Sequence, residues 1–149
     1  MAVRFHTATN VHGPVAVDSS ATIARNAVVQ VVSGVVVAMT DGANANLAVA
    51  LDKFPDAEYE EGSTSKAEVQ LSLLGEDCEV ELPFVTTDTG GIVQANIGAA
   101  SAYRLTAAGV VNLESTTNGV FTIRRLGYGS ALGDLTGTVV GVVSDAAAF

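Results

Sequence analysis

The chain has little of what most chemistry needs. It has no tryptophan, one cysteine, two histidines, three prolines and three tyrosines in 149 residues. A single cysteine, Cys78, excludes an internal disulfide framework. Within "CEVEL" it alternates with Val80 and Leu82, which predicts a small buried hydrophobe rather than a reactive thiol. The two histidines, His6 and His12, both lie near the start. They form no Cys/His cluster and no H-E-x-x-H helix, so no metal site and no cofactor are expected. Positive charge is scarce too: seven Lys plus Arg stand against sixteen Asp plus Glu, a net charge of −9. A nucleic-acid binder presents a basic patch, and this composition leaves little to build one. The same acidity repels an anionic membrane surface. Neither nucleic acid nor membrane is an expected partner.

Long apolar runs are also missing. The most apolar stretch, "VVQVVSGVVVAM" (28–39), has seven valines in twelve positions. Its uncharged surroundings reach only from Asn26 to Thr40 and include Gln30, Ser33 and Gly34. A membrane-spanning helix needs about 20 largely apolar residues. The other uncharged stretch, Thr89 to Tyr103, carries Gly90, Gly91, Gln94 and Asn96. "MAVRFHTATN" lacks the apolar core of a secretory signal. The expectation is a soluble protein, made in a cytoplasm and used there or released by lysis.

What is abundant is valine, alanine and glycine in short runs. Apolar residues make up 48% and charged residues 15%. One domain is expected at this length, with a core that needs no staples. Valine is stiff at its β-carbon and favours strands. The predicted fold is mainly β: a compact antiparallel β-sandwich or β-barrel-like domain with at most one or two short helices. Residues 1–20 read as an N-terminal arm or first strand, and 21–149 as a single β domain. "AVVQVV" and "VVVAM" predict two strands, buried on both faces, around a Ser33-Gly34 turn. "NLAVALDKF" (46–54) reads as a strand or one or two helical turns. An acidic loop is expected over 56–65. "EVQLSLLGEDCEVELPF" alternates with period two and predicts a β-hairpin with Glu68, Gln70, Ser72, Glu79 and Glu81 on a wet face. Pro83 should end its pairing. A strand is expected near Ile92–Gln94, a hairpin at Asn118-Gly119, a last strand in "GTVVGVVSD" and a frayed "AAAF" tail. "SGVVVAMTDGANANLAVALDKF" (33–54) also echoes "AGVVNLESTTNGVFTIRRLGY" (108–128). That echo reads either as a duplicated unit or as two ordinary hairpins.

Motifs that carry chemistry are scarce. No Ser sits in a G-x-S-x-G elbow. "LGYGSALGD" (126–134) loosely imitates a dinucleotide turn, but "LTGTVVGVV" behind it is no phosphate-binding helix; a glycine-rich loop between strands is the better reading. Glu58, Glu60 and Glu61 lack calcium-loop spacing. The second acidic group, Glu76 to Glu81, reads as a solvated strand face. Adjacent Arg124 and Arg125 should point to opposite faces of a strand, either as edge charges or with one in an interface ion pair. No catalytic residue is expected. The expected partner contacts are Arg4, Phe5, Arg124, Arg125 and Tyr128.

In texture the chain resembles the small decoration, or cement, proteins of tailed bacteriophage heads. The likeness rests on "ATIARNAVVQVVSGVVVAM" followed by "NLAVALDKF", on "KAEVQLSLLGEDCEVEL" and on "GTVVGVVSD", with few charges and no tryptophan. The resemblance implies a compact β domain, often trimeric, clamped on the outer surface of the major capsid protein lattice, with no catalytic residues. A tail-tube or other virion subunit and a carbohydrate-binding or adhesin module are the alternatives. The scarcity of aromatics opposes the last.

Overall fold

The computed structural model describes residues 3–56 and 67–149. The expected acidic loop thus lies, beyond Asp56, outside the described residues, as do Glu58, Glu60 and Glu61. The chain is mainly β, with two sheets packed together. Among the described residues eleven strands run in the order β1 (Arg4–Phe5), β2 (Val11–Ala16), β3 (Val28–Val32), β4 (Val35–Ala38), β5 (Leu47–Ala50), β6 (Glu68–Leu73), β7 (Val80–Val85), β8 (Arg104–Leu105), β9 (Val111–Asn112), β10 (Phe121–Leu126) and β11 (Thr136–Val143). A 3-10 turn, Gln94–Asn96, stands where a strand was expected near Ile92–Gln94.

The first sheet has the order β2-β6-β5-β3-β4. Its two ends meet: Val17 and Val36 form a parallel bridge, and the Asp18 N–H donates to the Val36 carbonyl at 3.0 Å. The sheet is therefore a small barrel. A ring of five strands cannot alternate direction all the way round, and the parallel junction falls here. Val29, Val31, Val36, Ala48, Ala50, Val69 and Leu71 fill its interior with Val17, Ile23 and Phe54. Small residues suit so narrow a space. Ser33 (φ 52°) and Gly34 (φ 78°) form the two-residue loop between β3 and β4, with Val32 opposite Val35. Positive φ at both central residues is what a type I′ hairpin turn demands. These two strands are not buried on both faces throughout: Val32 is exposed and Val35 and Val37 are half-buried.

The second sheet has the order β10-β11-β7-β9-β8, with β1 also on β7. It curls as well, since Tyr103 and Phe121 exchange backbone hydrogen bonds of 2.8 and 3.0 Å. Its concave face carries Val80, Leu82, Phe84, Leu105, Val111, Phe121, Ile123, Val139 and Val143. The outer side of the barrel closes over it through Val28, Leu47 and Val49. Each fully buried side chain of this kind contributes roughly 1.5–3 kcal/mol.

The expected hairpin of "EVQLSLLGEDCEVELPF" does not form. β6 belongs to the barrel and β7 to the second sheet. The alternation placed Val69, Leu71, Val80 and Leu82 inside, and they are buried, but Ser72, expected on the wet face, is fully buried too, with its hydroxyl accepting the Asn10 N–H. The alternation carried no information on which strand lies alongside. Pro83 does not end β7 either but sits opposite Thr138. Thr138 turns its N–H to Ser130 Oγ and its carbonyl to the Gly127 N–H. The pair thus needs no donor from Pro83. On its other edge β7 meets β1 at Val80 and Glu81 and β9 at Phe84 and Val85, so Pro83 falls in the gap.

Other expectations change too. Asn118 takes φ 54° in a turn closed by the Gly119 N–H to the Thr116 carbonyl, but β9 and β10 do not pair. β4 and β5 flank β3, whereas β9 and β10 are separated by β7 and β11, so the echoed segments are not one repeated unit. The "AAAF" tail is docked rather than frayed. The Leu47 N–H donates to the Ala147 carbonyl, the Phe149 N–H donates to the Leu47 carbonyl, and Ala147 is buried. Cys78 is buried in the core of the second sheet.

Candidate binding surface

Two places on the second sheet concentrate polar or apolar groups that the core does not use. The first is a clasp of charges on its convex face. "VRFH" alternates, so Val3 and Phe5 turn inward while Arg4 and His6 turn outward. Arg4 pairs in register with Glu81, Glu81 with Val140, and Val140 with Arg125. Glu81 is only 5% exposed. Its carboxylate meets His6 Nε2 at 2.8 Å and Arg4 Nη1 at 3.9 Å. Burial by itself raises this carboxyl; the Thr138 hydroxyl and His6 ring that face it, with the charges of Arg4 and His6, outweigh burial and hold it below its ordinary value. Beside it, Glu79 binds Arg125 Nη1 and lies 3.8 Å from Arg124 Nη1. The His6 N–H donates to the Glu79 carbonyl at 2.9 Å. Thus β1, only two residues long, is held to β7 by backbone pairing and by the side chains of Arg4 and His6 together.

Arg124 and Arg125 do not point to opposite faces. A bulge between Ile123 and Arg125 inserts an extra residue, so both side chains reach Glu79. Glu81 was expected on a wet face; β1, β10 and β11 cover it. As ion pairs the exposed members contribute little, about 0.2–1 kcal/mol each.

The second place is the loop from β10 to β11, which the sequence marked as glycine-rich. Tyr128 is 92% exposed, Leu132 51%, Leu135 49%, and the neighbouring Val93 47% and Val85 37%. Backbone hydrogen bonds hold these residues on one rim. The Thr86 N–H donates to the Leu135 carbonyl (3.1 Å), the Ile92 N–H to Asp134 (2.9 Å) and the Gly133 N–H to Ile92 (2.8 Å). A Cβ on Gly91, whose φ is +66°, would stand 2.1 Å from the Gly133 oxygen, so the two loops touch through backbone. Below the rim lies an open groove of about 500 Å3, lined by Pro83, Val85, Val110, Tyr128 and Thr136 among others. Single exposed hydrophobes are ordinary; here Val85 and Tyr128 share one groove, and Leu132, Leu135 and Val93 stand exposed on the adjoining, cross-linked loops.

Of the five expected partner contacts, Tyr128 lies on this rim. Arg4, Arg124 and Arg125 belong to the clasp, and Phe5 is half-buried against the core. Leu132, Leu135, Val85 and Val93 were not singled out by sequence. Among the described residues no group of three or more His, Cys, Asp or Glu could hold a metal ion, and no helix is long and apolar enough to cross a membrane. Comparison with family models, curated proteins and solved structures found no match.

Proposed function

We propose that the chain is a structural virion protein that binds the outer surface of a phage capsid and stabilises the shell as a decoration, or cement, subunit. The observation that carries this reading is the rim: five large exposed apolar side chains at one end of the second sheet, where backbone hydrogen bonds join the loop of Gly133 to Leu135 to Thr86 and Ile92. Such a surface is made for contact. The major capsid protein is the proposed partner, and a homo-oligomer, a trimer by resemblance, is the proposed form. The chain would be made in the host cytoplasm and end on the virion's outer surface.

The physics of the role is simple. A protein that binds the assembled shell but not its loosened state stabilises the shell by mass action. Many copies acting together turn modest contacts into a large effect. The net charge of −9 suits a position outside the shell, away from packaged DNA.

The test mixes purified protein with empty heads built from the major capsid protein encoded in the same genome. Cosedimentation and a raised shell melting temperature are expected. Self-assembly into tubes without shell binding would replace this reading with a tail-tube subunit. Glycan-array binding without shell binding would replace it with a carbohydrate-binding module.

A further inference from the structure

We infer that the rim of Tyr128, Leu132, Leu135, Val85 and Val93 is the docking face, and that it fits a protein surface whose apolar pocket is ringed by Lys or Arg. The inference rests on the shell-binding reading above and adds which face binds and the chemistry of what it meets.

The charges around the rim carry it. Residues 83–99, 110–118 and 126–138, which build this end of the sheet, contain no Lys or Arg. They do contain Asp88, Glu114 and Asp134. Each of these carboxylates accepts backbone N–H groups: Asp88 from Gly90 (2.9 Å), Glu114 from Thr87 (2.8 Å) and Asp134 from Ala131 (2.8 Å). None of the three is in an ion pair with a described Lys or Arg. Five of the described cations are occupied elsewhere, Arg4 on Glu81, Arg104 on Asp41, Arg124 and Arg125 on Glu79, and Lys53 near Asp56, and the sixth, Arg25, lies on the segment that leads into β3. The Thr86 hydroxyl and the Thr87 N–H hold the Glu114 carboxyl below its ordinary value, so it stays charged at neutral pH.

An apolar face fringed by fixed carboxylates selects its partner. A second copy in the same orientation would set carboxylates against carboxylates, and like charges across an interface are costly. Nucleic acid and anionic lipid are repelled for the same reason. A protein pocket with a cationic edge satisfies both parts, the apolar centre supplying affinity and the charges supplying register and rate.

The experiment measures binding of three proteins to the empty heads: the wild type, Tyr128→Ser/Leu132→Ser/Leu135→Ser, and Asp88→Asn/Glu114→Gln/Asp134→Asn. The amide substitutions keep each hydrogen-bond acceptor while removing the charge. Thermal unfolding checks that each variant is folded. The apolar variant is expected to bind at least about a hundredfold more weakly. The charge variant is expected to lose about tenfold at low salt and to become less sensitive to added salt. Should the triple apolar variant fail to fold, Tyr128→Ser alone, at a side chain 92% exposed, is expected to cost about tenfold. Wild-type binding that a folded apolar variant matches would overturn the docking face while leaving shell binding in place. An unchanged salt response in the charge variant would overturn the cationic ring. A wild type that does not bind heads would overturn the shell-binding reading and this inference with it.

Discussion

The clasp and the rim lie on the same sheet and use their side chains in opposite ways. At the clasp every charge has an intramolecular partner: Glu81 has His6 and Arg4, and Glu79 has Arg124 and Arg125. At the rim the large side chains have none, and backbone hydrogen bonds join the loops that carry them. The difference teaches that rarity of a residue type is a poor guide to its role. The scarce arginines read as partner contacts in the sequence; in the fold Arg4 meets Glu81, and Arg124 and Arg125 meet Glu79, within the chain. The unremarkable leucines of "SALGDL" stand exposed.

That contrast can be broken from either side. The largest effect is expected at the rim's foundation. Gly91→Ala puts a methyl into the Gly133 backbone at a positive φ, where neither side can yield. A loss of about 3 kcal/mol is expected in urea unfolding. Next comes the clasp. Glu81→Ala removes the carboxylate that three groups face, and because Arg4 and His6 remain partly solvated the expected cost is about 2 kcal/mol, below that of a fully buried pair. Native-state hydrogen exchange should show residues 4–7 opening first in that variant.

The clasp also carries a pH signature. The folded Glu81 carboxyl lies below its ordinary value of 4.5. Its contribution is therefore present above about pH 4.5 and is lost as pH falls through the lower folded value. Between roughly pH 5 and pH 3 the wild type should lose more stability than Glu81→Gln, measured by urea unfolding at each pH. The smallest effects sharpen the contrast. Arg124→Ala should cost under about 0.5 kcal/mol, and Tyr128→Ser should leave stability unchanged within about 0.5 kcal/mol while weakening binding.

Much of the fold was legible because valine, glycine and alternation are local signals. Ser33-Gly34 announced its turn, and Val69, Leu71, Val80 and Leu82 announced their burial. Pairing was not legible. "LSLLGEDCEVEL" reads as a hairpin because nothing local says that the chain changes sheets between Leu73 and Val80. The burial of Glu81 depends on His6, 75 positions away, and on β11, which reaches it only through the sheet. The bulge that turns Arg124 and Arg125 the same way is set by pairing with β11. At the candidate surface only Tyr128 was legible, as a large aromatic in a glycine loop. Leu132 and Leu135 become a surface only because Gly91 and Ile92 lock their loop against the sheet.

The most direct measurement is hydroxyl-radical footprinting of the chain, free and bound to empty heads. Tyr128, Leu132 and Leu135 should lose most of their reactivity on binding, while Val11, Val32 and Phe149 on the barrel keep theirs. Protection of the barrel residues with the rim still reactive would contradict the assignment of the docking face.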